Sequence, residues 1–141
     1  MDTFDYEKEV IKKVEENKIY LTCFQTVLEN QQLSLKTIQR HSDRVATYLN
    51  VFLTYYDILS IEKGCYEISA FLGDWIIRKS GGICASELKG YAASIKKFYR
   101  CMVQHGYVET KDYEYLCRII KEEMDTWLAH LEAYDNLSFE Y

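Results

Sequence analysis

Proline is absent from this chain, and glycine occurs only six times in 141 residues. Ordinary usage of about 5% proline would supply around seven. Tight turns spend both residues freely, so a sandwich or barrel of many short strands is excluded in favour of long helices. Histidine is also scarce, at three. His41, His105 and His130 lie at no ligand spacing from one another or from a Cys-x-x-Cys pair, so no zinc and no other cofactor is expected. No apolar run approaches the roughly 18 residues that would cross a bilayer, so no membrane partner is expected. The opening Met1-Asp2-Thr3-Phe4-Asp5 has neither the basic nor the apolar part of a leader.

The residues that are present describe a folded helical protein. Apolar residues make up 48% and charged residues 28%, too hydrophobic a balance for intrinsic disorder. Cysteines stand at 23, 65, 84, 101 and 117, an odd set without Cys-x-x-Cys spacing. That set argues against a secreted disulfide framework and for a reducing, cytoplasmic setting. Cys65, Cys84 and Cys101 have no base beside them in sequence and are expected to be inert.

Apolar spacing of three and four marks five helices. The first spans about Asp5 to Glu29, with Val10, Val14, Leu21, Phe24 and Leu28 on one stripe. Ser34 is expected to cap the second, which carries Ile38, His41, Val45, Leu49 and Phe52 and is drawn to Tyr56. After a loop over 58–64 with room for one short turn, a third helix through Ile68, Phe71, Leu72, Trp75 and Ile76 stops before Ser80-Gly81-Gly82. Ser86 is expected to cap the fourth, and Gly106 to end it in a left-handed turn. Thr110 is expected to cap an acidic fifth helix over 110–135, leaving a frayed tail after Tyr134. The reading is a single all-α domain, a bundle of about five helices, in which His41, Trp75 and Trp127 are packing residues.

Leu33-Ser34-Leu35-Lys36-Thr37-Ile38-Gln39-Arg40, followed by Tyr48-Leu49 and Phe52-Leu53, resembles the opening helix of a known module. Ile68-Ser69-Ala70-Phe71-Leu72 suits its middle helix. Ala92-Ala93-Ser94-Ile95-Lys96-Lys97-Phe98-Tyr99, running to His105-Gly106-Tyr107-Val108, is similar to its last long helix. The module is the SAM-like N-terminal core-binding domain of phage integrases and other tyrosine recombinases. The likeness covers residues 33–108, with an N-terminal helix over 1–32 and the acidic helix added outside it. It implies a SAM-like architecture whose corresponding helices meet DNA grooves. The family's catalytic Arg, His and Tyr belong to a separate domain, and the late tyrosines here have no such partners. The expectation is therefore a stand-alone, non-catalytic DNA-binding or recombination-accessory module.

Two basic stripes agree with that reading. Lys36, Arg40 and Arg44 recur at i, i+4 and i+8 of the second helix. Lys89, Lys96 and Arg100 recur at i, i+7 and i+11 of the fourth, opposite Leu88, Ile95 and Met102, with Lys97 beside them. Cations on two helices can hold phosphates without reading a base. The plainer alternative is two solvated faces with local pairs, such as Glu87 with Lys89. The formal charge of −5 argues against nucleic acid only in total. Residues 34–105 hold ten Lys and Arg against six Asp and Glu, a net of +4 between acidic flanks. The acidic fifth helix is a candidate cover for that basic face.

Two other readings stand beside duplex DNA. Thirteen tyrosines suit a protein partner or a homo-oligomer, in which the scaffold serves interaction instead. Arg100 and His105 form an Arg-x4-His pair that is similar to the motif of HEPN-type ribonucleases. There the Arg would hold phosphate and the His would move a proton.

Overall fold

The computed structural model describes residues 3–79 and 81–139. Six helices in sequence make up the bundle, and no strand occurs among the described residues. Helix α1 covers Thr3–Asn30. Helix α2 covers Leu35–Ala46 and continues as a π turn over Thr47–Phe52. Helix α3 is the short Ile61–Gly64. Helix α4 joins Ile68–Ala70, a π turn over Phe71–Trp75, and Ile76–Lys79. Helix α5 covers Ala85–Gln104, and α6 covers Thr110–Phe139.

The helix starts show where side-chain chemistry decides a boundary. Ser34 caps α2 as expected, its hydroxyl accepting from the Thr37 N–H at 3.2 Å. The start of α5 is a correction: Cys84, not Ser86, stands at the cap. The Glu87 carboxylate reaches back to the Cys84 backbone N–H at 3.4 Å and to its thiol at 3.1 Å. That reciprocal closure needs the acid three residues after the cap, which Glu87 satisfies for Cys84 alone. Thr110 is the first helical residue of α6, one place inside the cap. Gly106 ends α5 at φ 79°, a left-handed conformation that a side chain would resist.

The helix ends depart further from the apolar pattern. Helical geometry in α2 stops at Phe52 rather than Tyr56, because the π turn sends the Leu53 N–H five residues back to Tyr48. The short α3 is the one turn expected within the loop over 58–64. In the last helix no proline or glycine follows Gly106, so α6 runs past Tyr134 to Phe139 instead of fraying. Residues 140 and 141 of the expected tail lie outside the described residues, as does Ser80 of the Ser-Gly-Gly stop.

One apolar core joins all six helices, from Phe24 and Leu28 of α1 to Leu116, Ile120, Trp127 and Leu131 of α6. Aromatic rings fill its centre: Phe52 and Phe71 lie 5.0 Å apart, and Phe24 meets Phe98 edge-on at 5.5 Å. Buried hydroxyls pin α3 across this core. Tyr48 donates to the Gly64 carbonyl at 2.5 Å and Tyr99 to the Ile61 carbonyl at 2.7 Å. Burial holds both phenols well above their ordinary range, so they remain donors. Trp127 is fully enclosed beside Gly73, whose missing Cβ admits the indole against the α4 π turn. Its Nε1–H donates to Ser69 Oγ at 3.3 Å, and that hydroxyl donates to Glu123 at 2.8 Å. Both tryptophans are core residues, as the stripes implied. Among the described residues, no helix is long and apolar enough to cross a membrane.

Candidate nucleic-acid interface

Helices α2, α5 and α6 enclose an open groove of about 450 Å³. Its floor and one wall come from His41, Lys89, Ala93, Lys96, Lys97 and Arg100, and its other wall from Tyr113, Ile120 and Met124. The i, i+4, i+7, i+11 spacing read in the sequence places Lys89, Ala93, Lys96 and Arg100 in one row, opposite the buried Leu88, Ile95 and Met102. Small Ala93 keeps the row open. Lys89, Lys96 and Arg100 are exposed, and Lys97 is half-buried.

None of these four cations forms an ion pair among the described residues; the pairs present are Lys13–Glu16, Lys18–Glu15, Arg78–Asp74 and Lys111–Glu109. Glu87, the expected local partner of Lys89, is turned to the α5 cap. No carboxylate lines the groove. The acidic helix α6 therefore does not cover the basic face with its acids. Glu123 is held by Ser69, and Asp112 accepts from Tyr66.

The α2 stripe divides. Lys36 and Arg40 are exposed, form no ion pair among the described residues, and do not line the groove. Arg44, by contrast, is half-buried between α2 and α5. It donates to the Gly90 carbonyl and to Ser94 Oγ, both at 3.3 Å, and lies 6.0 Å from the Tyr91 ring. Arg44 is an interhelix tether rather than a free phosphate ligand. It fits only because Gly90 has no side chain there.

His41 sits at the same junction, half-buried, with Nδ1 2.8 Å from Ser94 Oγ. Burial, then Lys97, Arg44 and Arg40, lower its pKa below the ordinary 6.5. Opposite, burial pushes Tyr113 up to about 12, with Cys117 adding to the rise and Arg100 opposing it. The groove thus sets a half-buried imidazole and a phenol beside Lys89, Lys96, Lys97 and Arg100.

Arg100 lines this groove and His105 does not. His105 caps the end of α5 with Nδ1 3.0 Å from the Cys101 carbonyl. The same nitrogen lies 3.8 Å from Cys101 Sγ, but because a carbonyl can only accept, it carries its proton toward the Cys101 carbonyl and is no base toward the thiol in this arrangement. Cys23 of α1 completes the group: the donor atoms of Cys23, Cys101 and His105 all lie within 4.8 Å of one another. Burial, followed by the Cys23 thiol, pushes Cys101 up to about 12. Two of its three members were visible in sequence, because Cys101 and His105 are one helical turn apart. Cys23 joins them only through packing of α1 on α5.

No family model, no curated protein and no solved structure matches the chain.

Proposed function

We propose that the chain is a non-catalytic DNA-binding module that grips duplex phosphates between α2 and α5. The carrying observation is that Lys89, Lys96, Lys97 and Arg100 line a groove without a carboxylate and form no ion pair among the described residues, with Lys36 and Arg40 exposed on the neighbouring α2. Unpaired cations gain most from phosphate, because binding releases condensed counterions and breaks no existing pair. The resemblance of residues 33–108 to the core-binding domain of tyrosine recombinases points the same way and suggests a recombination-accessory role.

Fluorescence anisotropy with a labelled duplex tests the reading. Three phosphate contacts give a log–log salt slope of about −2.7, or roughly a 40-fold loss of affinity between about 50 and 200 mM salt. Replacing Lys89, Lys96 and Arg100 by Glu is expected to abolish that binding while leaving the helical circular dichroism intact. Absence of binding at about 50 mM salt, or binding indifferent to the triple replacement, overturns it.

One observation favours a protein-interaction module as a second reading. Phe4, Ile11 and Ile19 of α1 are 65%, 69% and 61% exposed. A stable oligomer dispersed by Ile11→Glu with Ile19→Glu would support that reading, and a strictly monomeric protein would count against it.

A further inference from the structure

We propose that Cys23, Cys101 and His105 form a binding site for a single thiophilic d10 cation, with zinc as its natural probe. The site is independent of the groove and of the DNA reading. Its donor set is two sulfurs and one imidazole, the combination that selects zinc or cuprous ions over magnesium and calcium.

The spacing suits such an ion. Metal–sulfur and metal–imidazole bonds of about 2.3 and 2.0 Å at a tetrahedral angle set the sulfur–nitrogen edge at roughly 3.5 Å. Cys101 Sγ and His105 Nδ1 already lie 3.8 Å apart, and all three donors fall within 4.8 Å. Side-chain rotation of a few tenths of an ångström to about 1 Å closes the set around one centre, with no helix displaced.

The surrounding chain holds the donors in place. Gly106 fixes His105 at the end of α5 through its left-handed turn. Tyr107, two residues on, packs edge-to-face on Tyr20 of α1 at 5.1 Å, one helical turn before Cys23. The loop bearing His105 is therefore clamped to the helix bearing Cys23. Ligation through Nδ1 gives up the hydrogen bond it donates to the Cys101 carbonyl, and that proton passes through solvent to Nε2, so the ring stays neutral as the Nε2–H tautomer. That oxygen remains satisfied by the His105 backbone N–H at 3.1 Å.

Binding exchanges two thiol protons for the divalent ion. The protons pass to solvent, two sulfur–metal bonds form, and the neutral imidazole adds a third bond. Two thiolates then cancel the charge of the ion. Cys101 is buried, Cys23 half-buried and His105 exposed, so the fourth position faces solvent and takes water or an incoming ligand.

Fully reduced protein titrated with Co2+ under argon gives the first readout. The expected result is a sulfur-to-cobalt charge-transfer band with intense tetrahedral visible bands, saturating at one equivalent and bleached by Zn2+. Competition of Zn2+ against a chromophoric chelator gives the second. His105→Ala and Cys23→Ser, neither of which empties the core, are each expected to weaken zinc by at least about tenfold. Cys84→Ser, at an exposed thiol of the α5 cap, is expected to leave it unchanged. A spectrum without tetrahedral intensity, or zinc affinity unaltered by His105→Ala, overturns the assignment. So does a loss produced equally by Cys84→Ser.

Discussion

Gly90→Ala has two opposed effects, and their balance tests the placement of Arg44. Gly90 lies in the interior of α5, where alanine favours the helix by about 1 kcal/mol. A Cβ there would meet Arg44 Nη2 at 2.6 Å, Cζ at 2.7 Å and Nη1 at 2.9 Å, so the guanidinium must leave. Its departure costs two hydrogen bonds of 3.3 Å, each worth about 0.5 kcal/mol at that length, and a ring contact worth about the same. The loss of about 1.5 kcal/mol exceeds the gain, so Gly90→Ala alone is expected to destabilise by about 0.5 kcal/mol. In an Arg44→Ala background nothing occupies the space, and the same change is expected to stabilise by about 1 kcal/mol.

The double-mutant cycle therefore has an expected coupling near 1.5 kcal/mol. For a chain of this length that amounts to about 5 °C in Tm. Urea unfolding of the four proteins, followed by far-ultraviolet circular dichroism, measures it. Equal stabilisation by Gly90→Ala in both backgrounds would refute the tether and return Arg44 to solvent. The sign change matters more than its size, because helix propensity alone cannot produce it.

Two further outcomes follow from buried polar groups. At Gly64 an added Cβ would meet the Tyr99 hydroxyl and lie 2.9 Å from Leu53 Cδ1, both enclosed in the core. Gly64→Ala is expected to cost about 1–3 kcal/mol in urea unfolding, and a neutral substitution would contradict the packing of α3. His41 is held below its ordinary pKa, first by burial and then by Lys97, Arg44 and Arg40. The unfolded chain then binds a proton more readily below about pH 6.5, so stability is full above that pH and falls as pH drops through the window beneath it. His41→Gln, which keeps a donor for Ser94, is expected to flatten the fall between about pH 6.5 and 5, and an unchanged slope would assign it to other groups.

The fold was legible to the extent that the 3.6-residue period carries it. Phe24, Leu49, Phe71, Leu88, Ile95 and Trp127 all lie in the core that their stripes implied. The π turns were not legible, because one extra residue per turn leaves the apolar spacing near three and four. Their consequence is local but real: α2 ends early, and α4 bends its carbonyls toward α6, where His130 donates to Gly73 at 3.1 Å. Ser86 misled because a serine is the stronger cap in isolation. Cys84 won through the position of Glu87.

At the groove, Arg40 and Arg44 show the limit of stripe reading most directly. They are one turn apart on the same helix and carry the same charge, yet one is exposed and the other is bound between helices. The difference lies in Gly90 of another helix, a residue that no pattern within α2 can reveal. The same reasoning resolves the conflict between a net charge of −5 and a basic groove. The acids of α6 do not oppose the cations merely by being on a neighbouring helix. The turns of α6 beside α5 present Tyr113, Ile120 and Met124, while Glu123 and Asp112 are bound to Ser69 and Tyr66. Where the acidic helix meets the basic one, the lining from α6 is thus Tyr113, Ile120 and Met124, and none of the groove's four cations is ion-paired among the described residues.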